Sequence, residues 1–159
     1  GIDRDFALAF AKSQIGAGQT LPQAGRVFVS LREADKPRIL PAIAELIDMG
    51  FAIVATRGTK RYLEENGLDS EVVNKVLEGR PHIVDAMKNG EIDLVFNTTE
   101  GTKALIDSKD IRRTALLHRI PYYTTVAGAL AATRAIRALR DDIIRVAPLQ
   151  SYAKATNEA

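Results

Sequence analysis

Three apolar runs in this chain end in small hydroxyl or amide side chains, with lysine or glycine close behind. Arg26-Val27-Phe28-Val29-Ser30 ends in Ser30 and leads at short range to Lys36. A second run leads into Ala55-Thr56-Arg57-Gly58-Thr59, and a third ends in Asn97-Thr98-Thr99-Glu100-Gly101. Small side chains let backbone N–H groups approach a phosphate closely. Helix N-termini add a favourable partial charge, and lysine adds a full one. Each segment alone is weak, since Thr-x-Gly-Thr after a strand is more often a helix cap than a phosphate site. Three such ends in one small sheet shift the balance toward an anion pocket. Lys75 is a further cation or, equally, an exposed lysine beside an edge strand. His82, in the polar turn Glu78-Gly79-Arg80-Pro81-His82, reads as a base or, more ordinarily, as a surface or capping residue. His118, near a helix end, reads as a dipole partner.

The elements that would position these groups alternate. Asp3 to Gly18 reads as a helix capped by Asp3 or Asp5, with Phe6, Phe10 and Gln14 near one face. The turn-rich stretch 19–25 sets it apart from the rest of the chain. Strands are expected at 26–30, 51–55, 71–73, 94–97 and 143–146. Between them lie a helix carrying Ile39, Ile43, Leu46 and Ile47, another through Leu63, and a short one over 81–88. A longer helix is expected over 107–118, with Asp107 or Ser108 as its cap and Ile111, Ala115 and Leu116 inward, and a further helix over about 126–139. Wholly apolar strands alternating with helices imply a mostly parallel sheet covered on both faces, and such sheets bind ligands beyond the carboxyl ends of their strands. The division is 1–24 as helix and linker from a preceding body, 25–147 as the α/β domain, and 148–159 as a polar tail, read as disordered.

Bulk properties exclude several classes. The 159 residues suit one domain. With no cysteine, disulfides, thiolate metal sites and cysteine nucleophiles are excluded, which fits a reducing cytoplasm, the expected compartment. No apolar run approaches the length of a membrane helix. The net charge is only +2, with basic and acidic residues interleaved, so a nucleic-acid partner has little support. Arg134, Arg137 and Arg140 share a helix face, read first as solvated and second as a protein contact. The chain begins Gly1-Ile2-Asp3 and reads as a piece of something longer. It holds no Gly-x-x-x-x-Gly-Lys-Ser/Thr loop for ATP.

Several segments together resemble a known family. They are 29–36 (Val-Ser-Leu-Arg-Glu-Ala-Asp-Lys), 55–59, 73–83 (Val-Asn-Lys-Val-Leu-Glu-Gly-Arg-Pro-His-Ile), 96–99 and 122–125. The family is the C-terminal allosteric domain of the carbamoyl-phosphate synthase large subunit, bacterial type. The opening Gly1 to Lys12 also resembles the segment leading into that domain. The resemblance implies a methylglyoxal-synthase-like fold, a Rossmann-like α/β/α sandwich with a five-stranded mostly parallel sheet. It implies a regulatory site for UMP, an inhibitor, or IMP, at Ser30, Lys36, Thr56, Thr59, Lys75, Asn97, Thr98 and Thr99. It implies a share of an ornithine activator site at Tyr122 and Thr124. Urea-cycle relatives use the same pocket for N-acetylglutamate, but the lysine and threonine set favours a nucleotide.

The same resemblance implies no catalytic residue, metal or cofactor in this domain. ATP, magnesium or manganese, and potassium would belong to the parent ligase. Its partners would be the synthetase body of the same large subunit and a small glutaminase subunit. That enzyme makes carbamoyl phosphate from glutamine, bicarbonate and ATP for pyrimidine and arginine synthesis. Thr102 and Lys103 stand where relatives often carry arginines, so the phosphate grip is expected to differ.

The alternative is a methylglyoxal synthase-type lyase acting on dihydroxyacetone phosphate. It needs an aspartate base where alignment puts Arg80, and Asp85 is out of register. A free-standing IMP cyclohydrolase domain shares the fold but needs a signature that is not present here.

Overall fold

A computed structural model describes residues 1–98, 102–141, 144 and 147–154. Five strands form one sheet: β1 (Arg26–Ser30), β2 (Ala52–Ala55), β3 (Glu71–Val72), β4 (Leu94–Asn97) and β5 (Tyr122–Tyr123). All neighbours are parallel and the spatial order is β3-β2-β1-β4-β5. The helices are α1 (Phe6–Gly16), α2 (Lys36–Asp48), α3 (Arg57–Glu65), α4 (Ile83–Lys88), α5 (Thr102–Leu117), α6 (Val126–Asp141) and α7 (Leu149–Lys154). The α/β fold is the expected one.

Strand pleating sorts the core into two layers, because successive side chains point to opposite faces. Val27, Val29, Ile53, Ala55, Leu94 and Phe96 pack with Ile39, Ile43 and Leu46 of α2 and Ala129, Ala132 and Ile136 of α6. Phe28, Val54 and Val95 point the other way, onto Ile83 and Met87 of α4 and Ile111 and Ala115 of α5. Burial on both faces explains why the three central strands are apolar at every interior position.

Several expectations require correction. The fifth strand is Tyr122–Tyr123, paired with Val95 and Phe96. Of the strand expected at 143–146, only Ile144 is described, and it lies in no strand. Two residues of β5 leave no apolar run to detect. Helix α5 begins at Thr102, well before the expected start at 107, so Ser108 is an interior helix residue instead of a cap. Ile111 and Ala115 are buried as expected, but Leu116 is 76% exposed. It follows Ala115 directly, and one residue of rotation on a helix turns a side chain off the buried face.

Helix α1, capped by the Asp5 carboxylate through Leu8 N–H (3.0 Å), packs on the rest of the molecule. Ala11 is fully buried, Phe10 lies against Tyr123, and the Tyr123 hydroxyl donates to Gln14 Oε1 (3.0 Å), whereas Phe6 is exposed. The tail read as disordered contains α7, and Lys12 of α1 donates to the Tyr152 hydroxyl (3.2 Å). The arginines of α6 are not simply solvated. Arg137 pairs with Glu45 (3.0 Å) and Asp48 (2.9 Å) of α2, Arg140 donates to the Met49 carbonyl, and only Arg134 stays free of a described pairing.

Candidate functional site

From β1 the chain builds β2 and β3 outward on one side, then returns to place β4 on the other. The strand order therefore reverses between β1 and β4. In open α/β sheets that is where the connecting loops diverge and leave a crevice beyond the carboxyl ends. Ser30 and Asn97 are register partners on either side of that point, and Thr98 N–H donates to the Ser30 carbonyl (3.0 Å). The half-buried Ser30 and the buried Asn97 thus stand side by side at that switch point.

The β2 end joins them through hydroxyls. Thr59 Oγ1 accepts from Leu31 N–H (3.0 Å), just past β1, and lies 3.2 Å from Thr56 Oγ1. Both threonines are buried. Thr56 occupies the N-cap position of α3, yet its side chain makes no capping bond. The capping use of Thr-x-Gly-Thr is therefore not the one adopted. The threonines link two strand ends and leave the first N–H groups of α3 without intrahelical acceptors.

Lys36 is 4% exposed. Its ammonium donates to the Gly58 carbonyl (2.9 Å) and to Glu33, and sits 5.6 Å from the centre of the Tyr62 ring. A buried cation is costly unless partnered. Here the partners fix it beside the β2–α3 turn, and the Glu33 side chain, 86% exposed, is the loosest of them. Lys75 is half-buried, on the loop after β3 at the same edge of the sheet. The neighbouring Asn74 accepts from Arg57 of the β2 end (3.3 Å). Ser30, Lys36, Thr56, Thr59, Lys75, Asn97 and Thr98 therefore all lie along the carboxyl edge. Thr99 and the side chains of Thr102 and Lys103 lie outside the described residues.

Sequence reasoning passed over Arg32, Asp35, Arg38 and Arg112. Asp35 is buried and bound by Arg32 through Nε (2.6 Å) and a terminal nitrogen (3.2 Å). That guanidinium holds the Asp35 carboxyl below the usual carboxylate range against the opposing effect of burial. Arg32 N–H in turn donates to Thr98 Oγ1 (3.1 Å). With Arg38, Arg112, Thr124 and Thr125 these residues line a cavity of about 500 Å³. Thr124 is exposed at that cavity. Tyr122 instead directs its hydroxyl to Asn97 Nδ2 (2.9 Å) and lies beneath the Arg112 guanidinium (5.9 Å). The signal for Arg32 and Asp35 was their spacing of three directly after the first strand.

The polar turn before α4 is arranged for structure. His82 is buried, not a surface residue, and its N–H donates to Asp85 Oδ2 (3.0 Å). That bond is the main cause of an Asp85 carboxyl held below its ordinary range. Arg80 is 75% exposed and 3.5 Å from Asp85. His118 is exposed just past α5. Among the described residues no cluster of histidine or carboxylate groups could hold a metal ion, and no helix is long and apolar enough to cross a membrane.

A wholly parallel five-stranded sheet covered by helices on both faces, with polar strand ends at its switch point, defines a Rossmann-like α/β domain. The chain belongs to the MGS-like domain family, whose match covers residues 38–124. It is 57% identical over 152 residues to the carbamoyl phosphate synthase large chain of Mesorhizobium japonicum, covering 96% of this chain and 13% of that one. The corresponding protein of Rhizobium meliloti has the same identity and coverage. That of Nostoc is 49% identical over 152 residues, covering 96% of this chain and 14% of the relative. This chain thus spans about an eighth of the length of the curated relatives it matches.

Proposed function

We propose that this chain is the allosteric regulatory domain of a carbamoyl-phosphate synthase large chain and binds a nucleoside monophosphate, UMP or IMP, at the carboxyl edge of its sheet. The observation that carries this reading is the joining of three strand ends at one crevice: Ser30 beside Asn97, Thr59 bonded to the backbone after β1, and Lys36 fixed at the β2–α3 turn. Helix-terminal N–H groups, hydroxyls and a lysine are the donors a phosphate requires. The similarity to carbamoyl phosphate synthase large chains supplies the context of a larger ligase.

The domain itself would do no chemistry. Asp85, the carboxylate 3.5 Å from Arg80 at the aligned position of a lyase base, is committed to the start of α4. Its lowered proton affinity makes it a poor base at neutral pH. Regulation would then be differential affinity. UMP favours the low-activity arrangement of the domain against the synthetase body, and ornithine, with Tyr122 and Thr124 contributing, favours the active one. Such couplings are typically about 1–3 kcal/mol. ATP, its metal ions and the glutaminase subunit act on the remainder of the parent enzyme, in the cytoplasm.

Isothermal calorimetry of the chain with UMP and IMP tests the reading, and saturable binding is expected. Absence of both heat and a thermal shift at millimolar ligand sinks it. Lys75→Ala removes a charge-assisted phosphate contact and should weaken UMP by about 1.5–3 kcal/mol, roughly ten- to hundredfold. Lys36→Ala should weaken it at least as much, with thermal unfolding used to confirm that the fold survives. Unchanged affinity in both variants puts the phosphate elsewhere. Incubation with dihydroxyacetone phosphate is expected to yield no methylglyoxal.

A further inference from the structure

Asn97 is tied on one side only. Its Nδ2 lies 3.1 Å from Ser108 Oγ and 2.9 Å from the Tyr122 hydroxyl, and those two oxygens lie 3.1 Å from each other. The three groups come from β4, α5 and β5, and Ser108 and Asn97 are 4% and 2% exposed. Among the described residues the Asn97 carbonyl oxygen Oδ1 makes no hydrogen bond. With Nδ2 directed to Ser108 and Tyr122, Oδ1 is the atom of this amide left to accept from a donor outside the chain.

We propose that Ser108, together with Tyr122, is a positioning residue that fixes the Asn97 amide with its carbonyl oxygen turned to the bound ligand. Asn97 then accepts a hydrogen bond from a donor on the non-phosphate part of that ligand, a sugar hydroxyl or a base N–H. The nucleoside is the better partner, because a phosphate ester is largely dianionic at neutral pH and acts mainly as an acceptor. The site would thereby divide its work. The Lys36 and Thr56–Thr59 side reads charge, and the Asn97 side reads the nucleoside. Ser108, an interior residue of α5, reaches the ligand only through Asn97. This inference rests on the nucleotide reading above.

Calorimetry of the full chain with two probes, UMP and inorganic phosphate, tests it on natural protein, Ser108→Ala, Tyr122→Phe and Ser108→Thr. Ser108→Ala and Tyr122→Phe should each weaken UMP by about tenfold, as for loss of one neutral hydrogen bond, and leave phosphate affinity as it was. Ser108→Thr, which keeps the hydroxyl, should retain UMP binding. Equal losses for UMP and phosphate overturn the proposal, because general damage to the pocket moves both. Unchanged UMP affinity in both Ser108→Ala and Tyr122→Phe overturns it as well. If natural protein binds neither probe, the nucleotide reading itself fails and the proposal falls with it.

A readout without ligand stands beside these. The Asn97 side-chain amide protons should exchange slowly with solvent in the natural chain and at least tenfold faster in Ser108→Ala, or in Tyr122→Phe where Ser108→Ala fails to fold. Equally slow exchange in the variants refutes the clamp.

Discussion

Asp35 shows how a single residue joins the polar edge to stability. Its carboxylate is buried, held by Arg32, and its proton affinity is depressed from the ordinary 3.8. A depressed folded-state pKa stabilises the fold above the unfolded value, and that stability is lost as pH falls through the lower, folded one. Melting temperature should therefore fall steeply below about pH 4. Asp35→Asn should melt lower at pH 7 and show a flatter acid limb; calorimetric scans from pH 7 to pH 3 check this, and parallel curves for the two proteins would rule Asp35 out. Residue-level legibility depended on position. Thr56, Thr59 and Lys36 were readable because each follows a strand, where side chains reach the carboxyl edge. Arg32 was passed over because its role arises from a short 3₁₀ turn, Glu33–Asp35, that brings Asp35 back beneath it. Ser108 was misplaced because a serine beside an aspartate looks like a helix start. Its actual partners, Asn97 and Tyr122, are distant in sequence.

At the scale of elements, Tyr123 adds a hydrogen bond and an aromatic contact to the docking of α1. The ring packs between Phe10 and Phe96, its hydroxyl reaches Gln14, and burial pushes its pKa up to about 12. A raised pKa means the stabilisation is complete below the unfolded value of 10 and is lost as pH rises toward 12, because the unfolded chain ionises first. Tyr123→Phe should cost about 1 kcal/mol at pH 8, the usual net value of one hydrogen bond. The difference between it and natural protein should shrink between pH 10 and pH 12, as urea denaturation at each pH would show; a constant difference would deny Tyr123 this role. The elements differ in how plainly the chain announces them. Strands β1, β2 and β4 are apolar at every interior position, so burial on both faces writes itself into composition. The edge strands β3 and β5 are two residues each, too short to form an apolar run, which is why one was placed far down the chain. Among the described side chains of α5, the buried apolar ones, Ile111 and Ala115, lie toward its C-terminal half, and periodicity found that half.

For the molecule as a whole, the site exists only when the sheet does. Ser30, Thr56 and Asn97 end strands that are neighbours in space but widely separated in sequence, and nothing local holds them together in the unfolded chain. A ligand at this edge must therefore bind the folded state and leave the unfolded one aside, so its binding energy adds to global stability. At one hundred times its dissociation constant a ligand contributes about 2.7 kcal/mol. For a chain of this length each kcal/mol raises the melting temperature by roughly 2–4 °C. UMP at that concentration should thus raise the midpoint by about 5–10 °C in differential scanning calorimetry, and the shift should grow with the logarithm of concentration. Lys75→Ala should reduce the shift at fixed UMP without lowering the ligand-free stability by more than about 0.5 kcal/mol, as expected of a half-exposed surface position. Phe28→Ala, which empties the centre of the α4–α5 face, should do the reverse. It should lower the ligand-free stability by about 3–5 kcal/mol and leave the increment due to UMP intact in whatever fraction still folds. A ligand increment that tracked Phe28 and ignored Lys75 would show that UMP stabilises the core in general and does not sit at the carboxyl edge.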